Sequence, residues 1–209
     1  MSKQRAQVQN TLGMPALARG LGRVAVAGAL LAGSINAQAE WGVADGSSVN
    51  YVSIKNNAIA ENNRFTSVTG TIGDDGSVQI RIDLSSVETR VDIRNQRMRD
   101  MFFEVASHPH ALISAQLEAA DLAQIEAGAP LEKTLPLTLS LHGSEATLEA
   151  NLRAVATGGQ LYISTLEPIL VSAADFGLDP GVEALREIAG LNAIVSTVPV
   201  TVDLKLVQD

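Results

Sequence analysis

From Trp41 onward, apolar and polar residues alternate with a period of two, and no other feature of the chain restricts its fold as much. A period of two belongs to β-strands that bury one face and wet the other. Val78, Ile80, Ile82 and Leu84 alternate with Gln79, Arg81 and Asp83; Ala111, Ile113, Ala115 and Leu117 with Leu112, Ser114 and Gln116; Leu135, Leu137, Leu139 and Leu141 with Pro136, Thr138 and Ser140. The pattern returns in Ala146, Leu148, Ala150, Leu152 and Ala154, and again in Val198, Val200, Val202, Leu204 and Leu206. Residues 49–55, 65–72 and 161–171 read as further strands, giving about eight in all. They are separated by turn signals such as Asp74-Asp75-Gly76, His142-Gly143 and Gly158-Gly159.

Short turns between strands that each have one apolar face imply an all-β antiparallel fold, either a sandwich or a closed barrel. Hydrophobic residues make up 46% of the chain and aromatics only 3%, so the core is aliphatic. An eight-stranded barrel is just wide enough to be filled by side chains or to hold one small ligand. Five inward positions are alanine (111, 115, 146, 150 and 154), which favours a cavity over an interior filled by larger neighbours or a helix.

Two segments leave the period. Residues 93–106 place Met98, Phe102 and Val105 at helical spacing, before a His108-Pro109 step that opposes further helix. Residues 179–190 read as a second short helix, with Asp179 as N-cap, Pro180 in the first turn and Gly190 past the end. Both are expected against an opening of the barrel.

The first 39 residues have a different character. Arg19 and Arg23 precede an apolar run over residues 24–32, followed by Ala37-Gln38-Ala39. That order predicts a cleavable secretory signal ending at Ala39, followed by a mature domain over 40–209. A start at Met14 gives a compact signal; the alternative is a long n-region beginning at Met1. The apolar run is far shorter than the roughly 20 residues of a spanning helix, so no stable membrane insertion is expected after cleavage. The chain has no cysteine, which excludes disulfides, thiol chemistry, sulfur-ligated metals and a lipid-anchored cysteine at the cleavage site. Lys3, Arg5, Arg19 and Arg23 lie in an acid-free stretch, so the mature part carries 11 basic against 23 acidic residues, a net −12. A surface of that sign disfavours nucleic acid.

Chemistry-bearing motifs are scarce. There is no G-x-S-x-G elbow, H-E-x-x-H or phosphate-cradling glycine loop, and no catalytic residue is assigned. Among His108, His110 and His142, the first two share a direction in an extended segment near Glu104, but no third ligand is identified and no metal is assigned. The arginine-dense stretch over residues 90–100 reads as a solvated helix face or, through Arg94, Asn95 or Arg97, as a set of donors at a cavity mouth.

Trp41-Gly42-Val43-Ala44-Asp45, then Ser47-Ser48-Val49-Asn50-Tyr51, the strand end at 65–70, Val87-Glu88-Thr89, the run Ile93 to Glu104 and Pro109 together resemble the YceI-like family in order and spacing. The resemblance implies a lipocalin-like extended eight-stranded barrel, usually periplasmic, that binds a polyisoprenoid lipid such as a quinone in an apolar tunnel. Lys55-Asn56 stands where many members carry a histidine, and the alanine-rich 118–130 connection has no counterpart in the resemblance.

The expected ligand wall is Tyr51, Ile113, Leu137, Leu139, Leu148, Leu152, Val200 and Val202, with Phe102 and Phe103 as cover and Arg94, Asn95 and Arg97 as polar donors. The function expected is that of a periplasmic carrier for a long-chain amphiphile. The alternatives are an envelope interaction module with a filled barrel or a lipid-modifying enzyme. No cofactor beyond the bound lipid is expected, and a homodimer is left open.

Overall fold

The computed structural model describes residues 40–208. The expected signal, with its two candidate starts, lies outside the described residues. Within them the chain forms twelve strands. These are β1 Trp41–Val43, β2 Ser48–Lys55, β3 Ile59–Phe65, β4 Val68–Ile72, β5 Ser77–Asp83, β6 Val87–Glu88, β7 His110–Gln116, β8 Leu131–Leu141, β9 Ser144–Thr157, β10 Gln160–Thr165, β11 Ile169–Ser172 and β12 Thr197–Gln208.

The twelve trace eight ribbons, because four ribbons are bent: β1 runs on into β2, β3 into β4, β5 into β6, and β10 into β11. All neighbours are antiparallel in the order β1-β4-β5-β7-β8-β9-β10-β12, and β12 closes the ring by pairing Val43 with Leu206 on one side and Leu161 with Leu206 on the other. The same β12 continues past β1 to pair Val202 with Val49 and Val200 with Tyr51 of β2. The result is a closed, up-and-down, eight-stranded barrel, one of the two arrangements that the alternation allows.

Closure removes free sheet edges and sends every apolar face inward. In β8 the odd residues from Leu131 to Leu141 face in, matched to the even residues of β9 through pairs such as Leu137 with Leu148 and Leu135 with Ala150. The bends have local causes. Between β3 and β4, the Ser86 hydroxyl accepts from the backbone N–H groups of Thr66 (3.2 Å) and Ser67 (3.1 Å), replacing ladder bonds lost at the corner. In β4, a Cβ on Gly70 would lie 2.1 Å from the carbonyl oxygen of Gln79, so only glycine permits that approach of two strands.

The strand at residues 65–72 starts earlier than the sequence suggests. β3 begins at Ile59 because Asn56 and Asn57 both take left-handed φ (51° and 56°), and the Ala58 N–H donates to the Lys55 carbonyl (3.1 Å) to close a tight hairpin.

Among the described residues there are three α-helices rather than two: α1 Asp92–Arg97, α2 Ala119–Glu126 and α3 Asp179–Ile188. α1 passes directly into a π-helical turn, Met98–Phe102, in which the Phe103 N–H reaches back five residues to the Met98 carbonyl (2.9 Å). Helix therefore stops at Phe103, short of the expected residue 106, where Glu104 turns into left-handed φ (48°). α3 is capped by Leu178, one residue before the expected Asp179, and Gly190 beyond its end is left-handed as expected.

By the connectivity, α1, the π turn, α3 and the His142-Gly143 turn share one end of the barrel. α2 lies at the other end with the Gly158-Gly159 turn, Trp41 and Gln208. No helix among the described residues is long and apolar enough to cross a membrane.

Candidate functional site

The barrel encloses a cavity of about 460 Å³ whose wall is overwhelmingly aliphatic. Every ribbon contributes: Ile72 from β4, Ile80 and Ile82 from β5, Ala111 and Ala115 from β7, Leu204 from β12. All four phenylalanines of the chain (65, 102, 103 and 176) line it, although aromatics are rare elsewhere. Three of them form a continuous series with Tyr51, with ring centroids 5.7 Å apart for Tyr51 and Phe65, 5.6 Å for Phe65 and Phe103, and 4.8 Å for Phe102 and Phe103.

The structure puts Tyr51, Ile113, Leu137, Leu139, Leu148, Leu152, Val200 and Val202 on the cavity wall, and Phe102 and Phe103 beside them beneath the helices. The π turn explains why two consecutive phenylalanines both line the space, since its wider turn departs from ordinary helical spacing. α3 presses on this cover. A Cβ on Gly181 would fall 2.9 Å from Phe102 Cδ2, so the glycine is there for close approach. Of the five inward alanines, only Ala111, Ala115 and Ala154 border the cavity; Ala150 is fully buried within the packed core, and Ala146 lies off the wall.

The polar donors divide differently from the expectation. Arg94 and Arg97 of α1 line the cavity. Asn95 does not: it is 6% exposed, and its Oδ1 accepts from the Thr89 hydroxyl (2.6 Å) and the Thr89 N–H (2.7 Å). Its polarity is spent holding α1 to the strand before it.

The sequence reading missed the inner face of the β2–β3 hairpin, which becomes polar toward the helical end. From β2, Val49, Tyr51, Ser53 and Lys55 point inward; from β3, Phe65 and Asn63 do, with Glu61 beyond. Glu61 Oε2 sits 2.8 Å from Lys55 Nζ and 2.5 Å from Arg94 Nη1, while Arg94 Nη2 donates to the Thr89 carbonyl (2.7 Å). Burial works against ionisation of Glu61, but the hydrogen bond from Lys55 and the charge of Arg94 outweigh it and hold the carboxyl below its ordinary range.

Two atoms of this cluster are buried without a protein partner: Asn63 Oδ1 and Arg94 Nε. The Asn63 amide orientation is fixed, because its Nδ2 donates to the Glu61 carbonyl (3.1 Å), which can only accept, and to Ser53 Oγ (3.0 Å). Both belong to residues that line the cavity, one an acceptor and one a donor. Nearby, burial pushes the Tyr51 phenol far up, only partly opposed by the Arg94 charge, so Tyr51 stays a neutral hydroxyl.

At the opposite end α2 stops the barrel. Ile125 is buried and borders the cavity. Lys133, inward on β8, is held by Asp121 Oδ2 (2.7 Å) and Glu118 Oε1 (3.3 Å), and Asp121 also accepts from the Glu118 N–H (2.9 Å).

A closed apolar barrel with a helical cover and this order of elements coincides with one family model, that of the YceI-like domain, which matches residues 42–206. The chain belongs to the YceI-like family. Among solved structures, this YceI-like chain is similar to a polyisoprenoid-binding domain from Saccharophagus degradans implicated in plant cell wall breakdown. The two share 34% identity with a TM-score of 0.77, over 82% of this chain and 99% of that one. It also shares its fold with BcnA of Burkholderia cenocepacia, at 15% identity and a TM-score of 0.59, over 76% and 95% of the two chains. None of the curated proteins matches this YceI-like sequence.

Proposed function

We propose that the protein is an exported, periplasmic carrier that encloses the chain of a polyisoprenoid or similar amphiphile in its barrel and holds a small oxygenated head group at the Tyr51–Asn63–Arg94 cluster. The observation that carries this reading is the apolar cavity inside the barrel, with Tyr51, Asn63 and Arg94 together on its wall. The similarity to a polyisoprenoid-binding domain supports the same ligand class.

The energetics favour such a ligand. Each buried CH₂ contributes about 0.8 kcal/mol, so ten carbons bring roughly 8 kcal/mol before association costs. Orientation falls to the polar cluster. A bare Arg94 Nε donates to a carbonyl or hydroxyl oxygen, Asn63 Oδ1 accepts from a hydroxyl, and the neutral Tyr51 hydroxyl does either. A quinone, quinol or prenol head satisfies these atoms, and a bare hydrocarbon leaves them unpaired.

Titration of the delipidated protein with prenyl quinones of increasing tail length tests the reading. Affinity should rise with each added isoprene until the cavity is full and then level off. Affinity independent of tail length would contradict it.

A further inference from the structure

We propose that Glu104, His108 and His142 form a binding site for a divalent transition metal of the zinc class, outside the lipid cavity at the helical end of the barrel. One ligand atom from each residue lies within 4.8 Å of the other two. Sequence pairs His108 with His110, but β7 begins at His110 and carries that residue away on an exposed strand position, while the β8–β9 turn brings in His142 from the strand hydrogen-bonded to β7.

The backbone sets up the first two donors. The His108 N–H donates to the Glu104 carbonyl (2.9 Å), closing a turn that gathers the two residues. His142 stands opposite, its ring centroid 4.3 Å from that of His108. Both Glu104 and His142 hold left-handed φ (48° and 52°), a conformation that costs free energy for residues of these types and concentrates at functional positions.

The bland alternative is a simple histidine–carboxylate hydrogen bond, and the distances oppose it. His142 Nε2 lies 3.6 Å from Glu104 Oε2, too far for a hydrogen bond, and this buried nitrogen has no other partner. A tetrahedral zinc ion with bonds of 2.0–2.1 Å spaces its donors by about 3.4 Å, close to that separation. Two imidazoles and one carboxylate suit zinc, and small rotations of the exposed Glu104 side chain close the remaining gap. None of the three residues lines the cavity. Bound metal would tie the segment just after the Phe102–Phe103 cover to the barrel wall, and a fourth position would remain open to solvent.

The test is titration of the tag-free, metal-stripped protein with Co²⁺, read by visible absorption and followed by displacement with Zn²⁺. The expected result is one equivalent of Co²⁺ with the strong absorption of a four-coordinate site, bound at least tenfold more weakly by His108→Asn and His142→Asn and equally well by His110→Asn. Asparagine is chosen at 142 because it tolerates left-handed φ. In the unsubstituted protein, Co²⁺ should broaden the imidazole NMR signals of His108 and His142 and spare His110, a readout that needs no variant. Absence of saturable binding, or broadening centred on His110, would overturn the proposal.

Discussion

Asn63 is 4% exposed with an amide oxygen that finds no partner among the described residues, and Arg94, on the same cavity wall, has a buried Nε that is likewise unpaired. Leaving such atoms bare costs about 1–3 kcal/mol each, a cost a ligand head group can offset. Asn63→Leu should therefore leave the apo protein about as stable as the parent while lowering affinity for a prenyl quinol relative to a saturated hydrocarbon of equal length. Equal losses for both ligands would remove Asn63 from head-group recognition.

Gly70→Ala should destabilise by about 3 kcal/mol or more in chemical denaturation, because the added carbon meets the Gln79 carbonyl at 2.1 Å. Glu61 gives a pH signature. Its folded-state pKa is depressed, so its stabilisation is present above the ordinary carboxylate range and is lost as pH falls through the depressed value, leaving Lys55 and Arg94 without their shared anion. Glu61→Gln should flatten that acid limb of the stability curve, measured by denaturation at a series of pH values.

The aliphatic wall was legible residue by residue, since an inward position in a barrel strand is marked by its parity. Ser53, Lys55 and Asn63 were not, because they share that parity but are polar, and an apolar/polar code reads them as outward. Asn95 was misplaced for the converse reason: sequence shows that a polar group exists, while its use by Thr89 depends on the fold.

Among the elements, α2 and the π turn contribute most to the shape of the site. α2 closes one end through Ile125 and the Lys133–Asp121 pair, where the Lys133 hydrogen bond holds Asp121 below its ordinary range against burial. Asp121→Ala also removes the bond from the Glu118 N–H, so a loss of about 1 kcal/mol or more is expected in thermal or chemical denaturation. At the other end, Gly181→Leu should force Phe102 away from α3 and speed ligand release, measured by stopped-flow transfer to acceptor vesicles. α1 and α3 were visible from helical spacing and from the Pro180 and Gly190 boundary signals. α2 was not: with only Leu122 and Ile125 as large apolar residues among alanines, eight residues carry too little periodicity to separate helix from loop. The bends that divide eight ribbons into twelve strands also escaped, because the pattern of inward residues continues across them.

For the whole molecule, closure through β12 decides between sandwich and barrel, a choice that alternation alone leaves open. The barrel is tightly filled around Leu161, Leu206 and Ala150 and hollow elsewhere, so its interior is neither fully packed nor a through-channel. Ala115 sits on the hollow part, so Ala115→Leu should fold normally and lose ligand uptake at least tenfold; Ala150, fully buried, would instead overpack the core.

The most direct test of a lipid-enclosing barrel is organic extraction of the protein purified from its native host, followed by mass spectrometry. A polyisoprenoid recovered in near-stoichiometric amount, and absent from extracts of Ala115→Leu, is the predicted result. Protein that yields no lipid and fails to take up added quinones would contradict it.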